Sequence, residues 1–94
     1  MADTMRAIKA QVSGVVQGVG FRYRTREAAQ RMGLTGWVRN LADGSVEVFA
    51  QGNRDAIDQM KDFLATGPRH ARVSSLTWTE STPDATVTEF AIRF

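Results

Sequence analysis

Residues 36–50 read GWVRNLADGSVEVFA, and the fold turns on how this run divides. Trp37-Val38 and Val46-Glu47-Val48-Phe49 are rich in β-formers and flank Asp43-Gly44, a dipeptide that tolerates the positive φ of a type I′ turn. The run therefore reads as two strands joined by a tight turn at residues 43 and 44. On its N-terminal side, Gly33 suits the C-cap of a helix from Arg22 to about Met32, in which Phe21, Thr25, Ala28 and Met32 fall on one stripe. Earlier still, Ile8, Ala10 and Val12 alternate with Lys9, Gln11 and Ser13, the period of a half-buried strand that ends at Gly14.

On the C-terminal side, Asn53 suits an N-cap, with Asp55 and Asp58 in the first turn favouring the helix dipole. Ile57, Met60, Phe63 and Leu64 then form an amphipathic stripe, which Gly67-Pro68 ends. Val73, Leu76 and Trp78 suggest a fourth strand. After a turn around Pro83-Asp84, the alternation of Phe90, Ile92 and Phe94 predicts a short fifth strand at the C-terminus. The order β-α-β-β-α-β predicts an α+β, ferredoxin-like sandwich, with two helices on one face of an antiparallel sheet and a single domain over residues 1–94. That fold hosts nucleic-acid binders, ligand modules and enzymes, so function has to come from the site.

Composition narrows the classes. A chain of 94 residues buries roughly 60–65% of its unfolded surface. There is no cysteine, which removes disulfides, thiolate nucleophiles and Cys-based zinc sites and fits a reduced, cytoplasmic setting. No stretch approaches the ~18 consecutive apolar residues of a membrane span, and the N-terminal MADTMRAIKA lacks the apolar core of a signal peptide. Net charge is only +2, too small by itself to mean nucleic acid. Its distribution is uneven. Residues 1–40 carry Arg6, Lys9, Arg22, Arg24, Arg26, Arg31 and Arg39 against Asp3 and Glu27, whereas acids outnumber bases from residue 41 onward.

The basic half contains Val15-Val16-Gln17-Gly18-Val19-Gly20-Phe21-Arg22. A strand-to-helix connection can close in two or three residues, yet this one spends about seven, with glycines at 18 and 20. A plain turn explains part of it. Length and glycine together favour a nest whose N–H groups converge on an anion, with the fork of Arg22 over the same spot. The nucleotide P-loop does not fit, because Phe21-Arg22 follow the last glycine, and a dinucleotide fingerprint would need glycine at Tyr23. Asn40 is an amide at a strand end and, taken alone, reads as a residue closing the hairpin. His70 has no second histidine or cysteine to share a metal with and reads as a solvated loop residue. No serine sits on a nucleophile elbow. Trp37 and Trp78 read as strand packing residues.

The runs GVVQGVGFR, residues 14–22, and GWVRN, residues 36–40, resemble the acylphosphatase family in order and spacing, and the C-terminal TEFAIRF is similar to its short Phe-rich last strand. The resemblance covers nearly the whole chain. It implies hydrolysis of acyl phosphates, with Arg22 and the amides of Gln17, Gly18, Val19, Gly20 and Phe21 holding the substrate phosphate and Asn40 orienting the attacking water. It also implies a cytoplasmic, metal-free monomer without cofactor, acting on a small-molecule acyl phosphate and releasing inorganic phosphate. Two positions depart from the pattern: Val15 stands where many members have a basic or small polar residue, and Gly20 where some have cysteine. Neither bears on Arg22 or Asn40.

Two rivals are weaker. A nucleic-acid-binding module on this fold wants paired aromatics on its central strands, and Glu47 in GSVEVFA argues against one. A domain cut from a larger carbamoyl-transfer protein is disfavoured by a chain that starts at Met1 and stops after the last strand. A membrane or nucleic-acid partner is accordingly not expected.

Overall fold

The computed structural model describes residues 5–94. Strand β1 spans Arg6–Val15, helix α1 Phe21–Met32, β2 Thr35–Asn40, β3 Val46–Gly52, α2 Arg54–Thr66, β4 Arg72–Ser81 and β5 Phe90–Arg93. The five strands form one sheet in the order β4-β1-β3-β2-β5. The first four pair antiparallel, as the alternating pattern predicts. The fifth differs: it joins parallel to β2, with Gly36 opposite Phe90 and Val38 opposite Ile92, so the sheet is mixed. The cause is the route of the chain. β4 lies at one edge of the sheet and β5 at the other, and the connection between them brings Val87 onto the sheet face that the helices leave open. The Gln51 side chain fastens that crossing, donating to Asp84 O at 2.8 Å and Val87 O at 3.1 Å and accepting from Asp84 N at 2.7 Å.

Period-two alternation sets the two faces. Ile8, Ala10 and Val12 face the helices together with Val38, Val46 and Val48, and they form one core with Phe21, Ile57, Met60 and Leu64. Ala7, Trp37 and Phe49 point the other way and cluster with Val87. The rings of Trp37 and Phe49 stack at 6.0 Å between centroids. Paired aromatics are thus present on the open face after all, but both are nearly buried, at 9% and 5% exposure, and offer no platform for a base. Trp78 is 41% exposed on the edge strand, with the Lys61 ammonium 3.6 Å from its ring centroid.

The β2–β3 connection is not the two-residue turn expected at Asp43-Gly44. Five residues, 41–45, separate Asn40 from Val46. Only Gly44 has positive φ there, at 92°, which excludes the type I′ geometry. The loop closes through Leu41 N–H to Ser45 O at 2.8 Å, while the Asp43 carboxylate accepts from Ser45 N at 2.9 Å and from its hydroxyl at 2.5 Å. A local side-chain turn has won over the tight hairpin. In α2, Asn53 Oδ1 accepts from Ala56 N at 2.8 Å, the expected cap. Asp55 lies in the first turn, whereas Asp58 lies beyond it and pairs with Lys61 at 3.7 Å. Within β2, Gly36 has φ of 150°, and a Cβ there would sit 1.8 Å from Phe49 O. Only glycine lets β2 approach β3 so closely. No helix among the described residues is long and apolar enough to cross a membrane.

Candidate active site

Because β1 runs to Val15 and α1 starts at Phe21, the connection between them is five residues, 16–20. Two side chains anchor it. Val16 is buried and Val19 packs against the core, which leaves the peptide units between them to face outward. Gly18 and Gly20 are left-handed, with φ of 75° and 80°, whereas no non-glycine among the described residues has positive φ. Alternation of left-handed and ordinary residues makes a concave nest of N–H groups. Gly20 is also the N-cap of α1, supplies no side-chain cap, and is followed by no acidic residue in the first turn. Arg24 N–H donates to Gly20 O at 3.0 Å. Among the described residues, the N–H groups from Gly18 to Tyr23 have no backbone acceptor, so they and the positive end of the helix dipole are available to an anion.

The nest opens into a cleft of about 170 Å³, lined by Gly18, Gly20, Phe21 and Arg22, by Asn40 across from them, and by Ile92 and Phe94 at the side. Asn40 is brought there by strand register. It is the last residue of β2, two positions after Val38, and so shares the helix-side face of the sheet. The structure thereby brings together Arg22, Asn40 and the glycine loop, which are far apart in sequence. His70 lies exposed in the loop after α2 and does not line the cleft. Among the described residues, no three His, Cys, Asp or Glu side chains form a group able to hold a metal.

Ion pairing divides the arginines of α1. Glu27 takes both Arg24, at 3.2 Å, and Arg31, at 3.7 Å. Glu47 holds Arg39 at 2.7 Å, and Arg6 pairs with Glu80. Among the described residues, Arg22 and Arg26 on α1 have no carboxylate within 4.0 Å. The Arg22 guanidinium instead lies 5.0 Å from the centroid of the exposed Phe94 ring. That contact was not foreseen. β5 ends at Arg93, so Phe94 is not a strand position but a side wall of the cleft.

Gln17 carries a second unforeseen role. Its side-chain N–H₂ donates to Leu41 O at 2.8 Å and to Ser45 O at 2.9 Å, tying the glycine loop to the loop that follows Asn40. That second loop is itself stiffened. Gln11 donates to the Ser45 hydroxyl at 2.9 Å and to Asp43 at 3.3 Å. The Ser45 hydroxyl, and after it the Ser45 N–H, hold the Asp43 carboxyl below its ordinary value of 3.8. A glutamine in a glycine-rich run signals little by itself, since its partners lie more than twenty residues away.

The sequence signature of the Acylphosphatase family matches residues 8–92. A relative from Yersinia pseudotuberculosis, named acylphosphatase, is 49% identical over 88 residues, which cover 93% of this chain and 95% of that protein. The solved structure of an acylphosphatase from Coxiella burnetii superposes with a TM-score of 0.90 at 42% identity, covering 95% of this chain and 93% of that one. For an acylphosphatase from Bacillus subtilis the values are 0.89, 33%, 97% and 100%. With the signature spanning residues 8–92 and an acylphosphatase 49% identical over nearly its whole length, the chain belongs to the acylphosphatase family of hydrolases.

Proposed function

We propose that this hydrolase cleaves the carboxyl–phosphate bond of acyl phosphates, with the phosphoryl group held by Arg22 and the amides of Gln17, Gly18, Val19, Gly20 and Phe21, and water oriented by Asn40. The observation that carries the reading is the common cleft: Gly18, Gly20, Phe21, Arg22 and Asn40 line one space of about 170 Å³. Arg22 lacks a carboxylate partner among the described residues, so its charge is not already neutralised.

The chemistry suits so sparse a set of groups. In R–CO–O–PO₃²⁻ the P–O bond to the acyl oxygen breaks and a carboxylate leaves, already a weak base that needs no proton from the protein. Water supplies the new oxygen on phosphorus. The protein's work is then to hold the phosphoryl group, spread its charge onto Arg22 and the loop amides, and keep water in line. The Asn40 amide can accept a hydrogen bond from that water but is too weak a base to take its proton. A phosphoryl oxygen of the substrate takes it, giving inorganic phosphate. A cytoplasmic monomer is part of the proposal and rests on the family resemblance alone.

Leaving-group chemistry provides the test. Alkyl phosphate monoesters expel an alkoxide, a far stronger base, and among the described residues the cleft is lined by no carboxylate or imidazole side chain that could protonate it. Phosphate release from benzoyl phosphate should therefore be fast, and release from glycerol phosphate or phosphoserine negligible at the same concentration, with both results unchanged by EDTA. Comparable rates on the monoesters, or loss of activity with EDTA, would overturn the mechanism.

A further inference from the structure

A second and larger cavity, of about 660 Å³, lies between α1 and the edge strand β5. Arg26, Gln30 and Leu34 line one side of it, and Glu89, Phe90 and Ile92 the other. Ile92 also lines the phosphate cleft, so the two spaces meet at one side chain. Along α1, residues 22, 26 and 30 are four apart and form one row, each step advancing about 6 Å. The first is in the cleft and the next two are in the groove. An acyl phosphate whose phosphoryl group lies at Arg22 has to direct its acyl group out of the glycine loop, and the groove continues the cleft with an apolar wall at Ile92 and Phe90.

The groove is not electrically neutral ground. Arg26 is the second α1 arginine without a carboxylate within 4.0 Å among the described residues, and its guanidinium lies 5.4 Å from the Tyr23 ring centroid. Glu89 lines the same groove without pairing to it. We infer that the α1–β5 groove is the acyl subsite and that Arg26 selects acyl phosphates carrying a second anionic group about one helical turn from the reacting carbonyl, an inference that rests on the function proposed above. Glu89 opposes the same charge and limits the preference.

The test compares benzoyl phosphate with 4-carboxybenzoyl phosphate. A para-substituted ring spaces its two carboxyl groups about one helical turn apart, near 6 Å, and cannot close to an internal anhydride. The quantity measured is the ratio of kcat/KM for the two substrates, so differences in folded fraction between variants cancel. The unaltered chain should favour the carboxylated substrate by roughly 2- to 5-fold, the worth of one solvent-exposed ion pair. Arg26→Gln should remove that preference, Arg26→Lys should keep part of it, and Glu89→Gln should widen it. A ratio that Arg26→Gln leaves unchanged overturns the inference while the proposed function stands. Failure of the unaltered chain to release phosphate from benzoyl phosphate overturns both.

Discussion

Substituting Gln17 separates a brace from a ligand contact. Both hydrogens of its side-chain amide are engaged, with Leu41 O at 2.8 Å and Ser45 O at 2.9 Å. Each carbonyl keeps another partner when the amide is removed, since Leu41 O also accepts from Gly44 N at 3.2 Å and Ser45 O from Leu41 N at 2.8 Å. Gln17→Ala therefore deletes two hydrogen bonds without orphaning an acceptor, which costs about 1–3 kcal/mol. In a chain of this size the corresponding fall in Tm is roughly 5–20 °C. Gln17→Glu keeps the length but points an acceptor-only carboxylate at two carbonyl oxygens, so at pH 7 it should be worse than alanine. Its folded state favours the protonated acid, which can still donate once. The folded pKa is thus raised, and the stability deficit shrinks as pH falls through it toward the unfolded value. Loosening the tie also lets the glycine loop drift relative to Asn40, and a displacement of about 1 Å is worth up to about 10²-fold in rate. Urea denaturation at pH 7 and pH 4, with benzoyl phosphate kinetics on the same samples, measures both effects. Wild-type stability and kcat/KM in Gln17→Ala, or a Gln17→Glu variant as stable as the parent at pH 7, would refute the brace.

Arg22 and Asn40 should fail differently: Arg22→Ala should lose phosphate inhibition along with about 10³-fold or more of turnover, with Arg22→Lys rescuing poorly, whereas Asn40→Ala should lose roughly 10²-fold of turnover while phosphate inhibition is nearly kept. Steady-state kinetics with inorganic phosphate as inhibitor decides, and a folded, fully active Asn40→Ala variant would return Asn40 to a hairpin role. Asp43 and Asp84 are held below their ordinary value of 3.8, by the Ser45 and Thr86 hydroxyls first and then by the N–H groups of the same residues. Because the folded values are depressed, that contribution is present above about pH 4 and lost as pH falls through the folded values. The double variant Asp43→Asn, Asp84→Asn should show a flatter acid limb in thermal melts between pH 5 and 2. Thr25 is fully buried in α1 and its hydroxyl has no hydrogen-bond partner among the described residues, so the near-isosteric Thr25→Val should raise stability by about 1 kcal/mol in urea titrations.

What was legible in the sequence is what repeats along it. Alternation in Ile8-Ala10-Val12 and the stripe Ile57-Met60-Leu64 report burial directly, since each strand or helix exposes its own period to the core, and all six of these side chains are buried. Caps were equally readable at Gly33 and Asn53, where the signal is local. The tight turn at Asp43-Gly44 was misread because the Asp43 side chain competes with the backbone for Ser45, a choice that dipeptide statistics do not contain. The parallel pairing of β5 was invisible for a different reason. Period two reports which face a residue takes, not which strand lies beside it or in which direction.

The site divides along the same physical line. Gly18, Gly20 and Arg22 stand within five residues of one another, so the nest and its guanidinium could be read together, and Asn40 needed only the second motif to join them. The groups that hold those four in place depend on partners that no short window contains. Gln17 reaches Leu41 and Ser45, Arg22 meets Phe94, and Arg22 and Arg26 differ from Arg24 and Arg31 because the latter two already share Glu27. A single acid, three residues after Arg24 and four before Arg31, takes both of those side chains, and the two α1 arginines left without a carboxylate among the described residues, at 22 and 26, are the ones on the row that faces β5. The charge excess of the first forty residues thereby becomes directional: Arg6, Arg24, Arg31 and Arg39 are spent in surface pairs worth little each, Lys9 lies over Trp37 on the open face, and Arg22 and Arg26 line the adjoining cleft and groove beside β5.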